Sequence, residues 1–326
     1  MNKKIFACVL LSACFCVPAA IAGQEKSGGA KSGGAKRGEK DHVSINGSDL
    51  RWEHRSSDGG TEITLAVRNA RFNDDHTDVE SVAPGGYFRL WEERGGISRR
   101  LEITSPGEDG QLKRVYTLGG EVRLFDDAGR AWLAKLLSET VASSGYDAEA
   151  RVRKILQKRG VNGVLAETAR LKSDYARRVY SSVLIEQGNL SGEQLAKLLS
   201  QNTGAINSDY EKATLLIKVL KNNLADASAR AAFFGMTRSI SSDYERGRVL
   251  AALFKQSPLS RETLLLALKS MHGMSSDYEK ANVLIRAAKT EAADDSVRAA
   301  IIEAAHTLGS DHERGRVLTV ATKKQQ

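Results

Sequence analysis

The chain reads as an α+β protein: a small antiparallel β-meander domain followed by an α-solenoid of helix-pair repeats with a period of about 34 residues. Three observations predict this. A serine-led phrase recurs five times, at Ser173-Asp174-Tyr175, Ser208-Asp209-Tyr210, Ser242-Asp243-Tyr244, Ser276-Asp277-Tyr278 and Ser310-Asp311-His312. A fixed period of this size is the signature of stacked helix pairs, each burying its apolar face against its neighbours. Between Val43 and Phe125, apolar residues alternate in short runs divided by glycine-rich turns, the pattern of half-buried strands. Between these regions, Trp132, Leu133, Leu136, Leu137 and Val141 recur at helical spacing and offer a lid for the meander.

The start of the chain reads as a signal peptide, residues 1–22. Asn2-Lys3-Lys4 is basic, Ile5 to Leu11 is apolar, and Ala20-Ile21-Ala22 is a small-residue cleavage site that would leave Gly23 first. A second reading takes Leu11-Ser12-Ala13-Cys14 as a lipoprotein box with a lipid anchor at Cys14. All three cysteines (Cys8, Cys14 and Cys16) lie in this segment, so cleavage after Ala22 leaves no thiol for a disulfide, a nucleophile or a metal site. No later stretch is long and apolar enough for a transmembrane helix in the mature chain. The formal charge is +8, and Lys3 and Lys4 leave with the signal. A secreted or periplasmic destination argues against nucleic acid as a partner, while acidic polymers and lipid head groups stay open.

Residues 23–42 read as a flexible linker, because Lys-Ser-Gly-Gly-Ala repeats there with no bulky apolar side chain to bury. Residues 43–142 read as the β domain with its capping helix. Strands are expected at Asp49–Arg55, Thr61–Arg68, Tyr87–Glu92, Arg99–Thr104 and Leu112–Thr117, and Asp126 or Asp127 caps the helix. Residues 143–326 read as the solenoid, opened by a degenerate helix from Tyr146 to Leu156.

Each repeat phrase extends to a glutamate at Glu211, Glu245, Glu279 and Glu313, with Ala176 in its place in the first copy. Serine followed by glutamate three residues on is a capping box, and the aspartate between them sits in the first turn, where negative charge complements the helix dipole. Helical stripes follow, such as Tyr244, Gly247, Leu250, Leu253 and Phe254. Glycine at Gly247 and Gly315 suggests close passage of another helix backbone, since glycine inside a helix costs about 1 kcal/mol relative to alanine. Ser191 with Gln194, Asp226, Pro258 with Ser260, and Asp294 start second helices. The length matches a tetratricopeptide repeat, but that family's aromatic and proline signature is missing.

The stretch Ser-Asp-Tyr-Glu-Arg-Gly-Arg-Val-Leu at 242–250 resembles repeats in the C-terminal part of some bacterial membrane metallopeptidases of the β-lactam-sensor type, and repeats in secreted proteins with no assigned activity. Val82 to Tyr87 and Glu92 to Gly96 are similar to a segment preceding those repeats. The resemblance spans the chain from about Leu50 onward. It implies the accessory, envelope-facing part of such systems. It does not imply peptidase activity, because the histidine–glutamate–histidine zinc helix is missing from this sequence.

A basic residue follows each cap, at Arg177, Lys212, Arg246, Lys280 and Arg314. Equivalent positions in a solenoid stack into a ladder, so these five are the candidate partner-binding residues; the competing reading pairs them with the aspartates of neighbouring units. Asn73 to Asp78 is an acidic turn with His76 and lacks the glycine and distal glutamate of a calcium loop. Trp52, Tyr87 and Trp91 are either an aromatic face or meander core. No catalytic, cofactor or metal constellation stands out. The expected function is therefore a non-catalytic scaffold that binds another envelope protein or peptide along its repeats. The alternatives are an accessory or weakly hydrolytic enzyme with a site between the β domain and the first helices, and a surface anchor for anionic lipid or polymer.

Overall fold

The computed structural model describes residues 40–46, 49–56, 59–73, 75–105, 110–220, 224–256, 259–290 and 293–322. The signal segment with its cysteines, all but the last few residues of the linker, Asp58, Asp74 and Pro258 lie outside the described residues. Among the described residues no helix is long and apolar enough to cross a membrane.

Among the described residues seven strands form one antiparallel sheet in sequence order: β1 Lys40–Asn46, β2 Asp49–Arg55, β3 Thr61–Phe72, β4 Val79–Arg94, β5 Ile97–Thr104, β6 Lys113–Leu118 and β7 Glu121–Arg123. Alternation sets the register: Leu50, Trp52, Ile63, Leu65, Val67, Phe88, Leu90, Leu101 and Ile103 all turn to one buried face. Two strands were not expected. β1 begins at Lys40, inside the linker reading of 23–42, and β7 is three exposed residues paired to β6. β4 also runs back through Pro84 to Val79, with register shifts against β3 between Arg68 and Ala70 and between Arg71 and Phe72. Those shifts hide the period-two pattern that would have revealed the strand.

Helix α1, Asp127–Ser144, closes the buried face. Asp126 is its N-cap, accepting from the Gly129 amide at 2.9 Å. Its Trp132, Leu133, Leu136, Leu137 and Val141 share one core with the strands, and Trp132 Nε1 donates to buried Glu92 at 2.7 Å. Tyr146 then pins the next segment to the sheet: its hydroxyl donates to Ala70 O at 2.8 Å and its ring meets Phe72 edge-on.

Among the described residues ten helices follow: α2 Ala148–Arg170, α3 Asp174–Gln187, α4 Gly192–Ala205, α5 Asp209–Val219, α6 Ala227–Arg238, α7 Asp243–Leu253, α8 Arg261–Lys269, α9 Asp277–Ala288, α10 Asp295–His306 and α11 Asp311–Ala321. Inside α2, Gly160 leaves the helical region at φ 62°, ψ −167°, a conformation open to glycine, so α2 is two helices across a break. α3, α5, α7, α9 and α11 lie side by side in one layer, and α4, α6, α8 and α10 in a second. The described repeats are thus four pairs and a final single helix. Leu184, Leu198, Leu216, Phe233, Leu250, Leu264, Leu284 and Ile301 belong to one continuous core between the layers.

Candidate functional site

The repeated phrase builds a hydrogen-bonded seam along the N-termini of the first-layer helices. Each serine is an N-cap whose hydroxyl accepts from the third amide of its helix: Ser173 from Ala176, Ser208 from Glu211, Ser242 from Glu245, Ser276 from Glu279 and Ser310 from Glu313, at 3.3 to 3.4 Å. Among the described residues the full capping box is made at Ser191–Gln194, and these five copies make the serine arm alone. The preceding repeat supplies the acceptor instead. Asp174 Oδ2 accepts from the amides of Asn207 and Ser208 at 2.9 and 2.8 Å. Asp209 Oδ2 accepts from Ser241 and Ser242 at 3.1 and 2.8 Å. Asp243 Oδ2 takes the Ser275 amide at 2.8 Å, its hydroxyl at 2.9 Å and the Ser276 amide at 2.7 Å. Asp277 Oδ2 accepts from Ser310 at 2.8 Å. One carboxylate thereby ties each helix start to the next.

The titration of these groups follows their partners. Burial works to raise the Asp243 carboxyl, but the Ser276 and Ser275 amides, the Ser275 hydroxyl and Arg246 together hold it below its ordinary value. Asp277 is also lowered, first by the Ser310 amide and then by Lys280. The glutamates behave oppositely. Burial raises Glu245 and Glu279, and a neighbouring aspartate adds to the rise in each.

The five candidate cations lie along this seam. Lys212 and Arg246 are only 7 % and 5 % exposed. Arg246 donates to the carbonyls of Arg238 at 3.2 Å, Ile240 at 3.0 Å and His272 at 3.0 Å. Lys212 donates to Ser239 O at 3.1 Å, Arg177 to Ala205 O at 2.8 Å and Arg314 to Leu308 O at 2.9 Å. Several of these carbonyls lie at or just beyond second-layer helix C-termini, where unpaired oxygens and the helix dipole attract cations. Arg177, Lys280 and Arg314 also meet the aspartate three residues earlier in their own unit, rather than that of a neighbour, at 3.5, 3.2 and 2.8 Å. The ladder is therefore occupied internally.

What the same helices leave outside is tyrosine. Tyr210, Tyr244 and Tyr278 are 45 %, 62 % and 57 % exposed, although their spacing had placed them on the apolar stripe. They occupy equivalent positions on the adjacent helices α5, α7 and α9 and form a row. The guanidinium of Arg248 lies over Tyr210 at 5.0 Å and that of Arg316 over Tyr278 at 5.8 Å, each from the following repeat. Arg248 is held by Glu245 at 2.9 Å and Thr214 Oγ1 at 3.0 Å, and Arg316 by Asn282 at 3.1 Å. Tyr244 has Asn282 where the others have arginine. It borders a hollow of about 190 Å³ with Gly247, Ala251, Glu279 and Arg286. A Cβ at Gly247 would meet Glu279 Oε2 at 3.0 Å, so this glycine makes room for a carboxylate rather than a backbone, and Gly315 faces open space. Tyr175, the first member, is instead packed against Gly145 after α1, and burial raises its phenol above the ordinary value.

The remaining sequence candidates fall elsewhere. Asn73 to Asp78 is a turn tied by Asn73, whose Oδ1 accepts from the amides of Thr77 and Asp78 at 2.8 and 2.9 Å. Its His76 faces inward and is buried against Phe72, which turn composition did not suggest. Trp52 is core, whereas Tyr87 is half-buried between the guanidiniums of Arg68 and Arg89, 5.2 and 4.6 Å from its ring. Trp91 is half-buried too. Among the described residues no group of histidine, cysteine or carboxylate side chains is placed to hold a metal ion. No protein-family model, curated protein or solved structure matches this chain.

Proposed function

We propose that this protein is a secreted or periplasmic, non-catalytic scaffold that holds an extended peptide segment of another envelope protein across the tyrosine row of its solenoid. The row itself carries this reading: three exposed tyrosines on adjacent helices, two of them stacked by guanidiniums that are themselves fixed. Large exposed aromatic side chains with few rotatable bonds favour recognition. Adjacent packed helices lie about 8–10 Å apart, and three residues of polyproline II span about 9 Å, so an extended, proline-containing segment would meet one tyrosine per turn. Arg286 beside Tyr244 has no carboxylate within 4.0 Å among the described residues, and suits an acidic residue in that segment. The resemblance to the accessory repeats of envelope proteins points the same way.

The test is selection of displayed random peptides on the wild-type protein, rescreened against a combined Tyr210→Ser, Tyr244→Ser and Tyr278→Ser variant. The expected result is enrichment of prolines or apolar residues three apart, with affinity falling at least tenfold in the variant. Failure to enrich, or equal binding to both proteins, contradicts the proposal. Secretion is tested separately by sequencing the N-terminus of protein recovered from the envelope fraction: Gly23 is expected, whereas a lipid-modified Cys14 would make the protein membrane-anchored.

A further inference from the structure

A cleft of about 560 Å³ lies where the β3–β4 turn faces the first half of α2. Arg71, His76 and Glu80 line it from the sheet side, and Asp147, Arg151, Lys154, Lys158 and Arg159 from the helix side. Among the described residues, five cations thus line it against two carboxylates. Positions 151, 154 and 158 recur at helical spacing, so one face of α2 presents them together. Apolar surface from Phe72, Ala150 and Ile155 completes the walls. The volume is within the range of about 300–1,000 Å³ typical of small-molecule sites.

The floor of the cleft is fixed in place. Glu167 holds Arg151 by Nε at 3.0 Å and Nη2 at 2.5 Å. The opposite edge of that guanidinium, Nη1, lies 3.2 Å from His76 Nδ1. With Nδ1 as acceptor, the ring proton is on Nε2, which faces Asp147 Oδ2 at 3.8 Å. His76 and Asp147 both hold positive φ, 58° in each case, which is uncommon for residues with a side chain. Asp147 stands at the N-cap of α2 yet makes no capping hydrogen bond. Two sparsely populated backbone conformations are thereby held across one cleft, as is common at binding sites.

The rim is not neutralised. Arg71 and Lys158 are exposed, and neither has a carboxylate within 4.0 Å among the described residues. Arg159 reaches Glu167 only at 3.9 Å. Like charges gathered at a partly enclosed, low-dielectric cleft raise the local concentration of counter-ions. We infer that this cleft binds a small organic anion carrying at least two negative charges, as phosphate or carboxylate groups, with Arg71, Lys158 and Arg159 gripping the charges and Phe72 and Ile155 packing the carbon skeleton. The site is independent of the tyrosine row.

The experiment is isothermal titration of the full mature chain with pyrophosphate, citrate and glycerol 3-phosphate, alongside sedimentation with vesicles of anionic phospholipid or of zwitterionic phospholipid alone. Arg71→Ala, Lys158→Ala and Arg159→Ala are the variants; all three side chains are exposed, so the fold should survive, and circular dichroism checks that. A Lys255→Ala variant, at an exposed cation away from the cleft, controls for cations elsewhere. The expected result is saturable binding of at least one probe, one ligand per chain, weakened at least tenfold in Lys158→Ala and Arg71→Ala and unchanged in Lys255→Ala. Binding only to anionic vesicles, lost in the same variants, assigns the anion to a lipid head group; binding to the soluble probes assigns it to a free metabolite. Absence of saturable binding to every probe, or equal binding by the cleft variants and wild type, overturns the inference.

Discussion

The seam of helix starts and the row of tyrosines come from the same five-residue phrase, yet they differ in almost every physical respect. In the seam, serine, aspartate and the following cation are spent on backbone amides and carbonyls of their own and the next repeat. In the row, the tyrosine between them contributes little to the core and faces outward. A repeat can hold its neighbours with one set of atoms and keep a chemically uniform surface with another. Recurrence alone therefore does not separate structure from recognition; the partner of each side chain does.

The largest expected effect is on the seam. Arg246→Ala removes a buried cation and leaves three carbonyls without their donor, so stability should fall by about 2–3 kcal/mol in a urea titration. A loss within error of zero would mean these carbonyls are satisfied without it.

Next is Asp243→Ala, which leaves the Ser275 and Ser276 amides unpaired and should cost about 1 kcal/mol. Its dependence on pH is specific. The Asp243 and Asp277 carboxyls sit below their ordinary value in the folded chain, so their contribution is present above about pH 4 and is lost as pH falls through the lowered values. Glu245 and Glu279 act in the opposite sense: raised by burial, they favour the protonated folded state, and their contribution declines as pH rises through the raised values. Glu279→Gln should therefore preserve or slightly increase stability at neutral pH, where Asp277→Asn decreases it. Equal losses from the two changes would erase the distinction between the two acids.

Smaller effects sharpen the comparison from the other side. Tyr180, buried in the first repeat, has no hydrogen-bond partner for its hydroxyl among the described residues, and burial pushes its phenol far above the ordinary value. Tyr180→Phe should raise stability by up to about 1 kcal/mol, read by the same titration. The triple tyrosine-to-serine variant of the row should change stability by no more than about 0.5 kcal/mol per site while weakening peptide capture. Large destabilisation would show that the row is structural after all.

Much of this fold was legible in the sequence because its signals are local. The serine caps, the alternation of Ile63, Leu65 and Val67, and the stripe of α1 are each contained in a few residues. What escaped depends on contacts far apart in the chain. β1 and β7 have little apolar pattern and form by pairing to a neighbour. The reciprocal glutamate of the capping box gave way to an aspartate about one repeat away, which no local motif encodes. Equal spacing made Arg246 look like surface and Tyr244 like core; only the depth of each helix face in the stack reverses them. His76 was hidden for a similar reason, since its turn reads as polar until α2 folds over it.

The inter-repeat carboxylate is tested most directly by residue-resolved amide hydrogen exchange in Asp243→Ala. The Ser276 amide should lose protection by at least tenfold, while the equivalent Ser242 amide, held by Asp209, keeps its own. Unchanged protection at Ser276 would contradict the account, because the repeats would then be joined by packing alone.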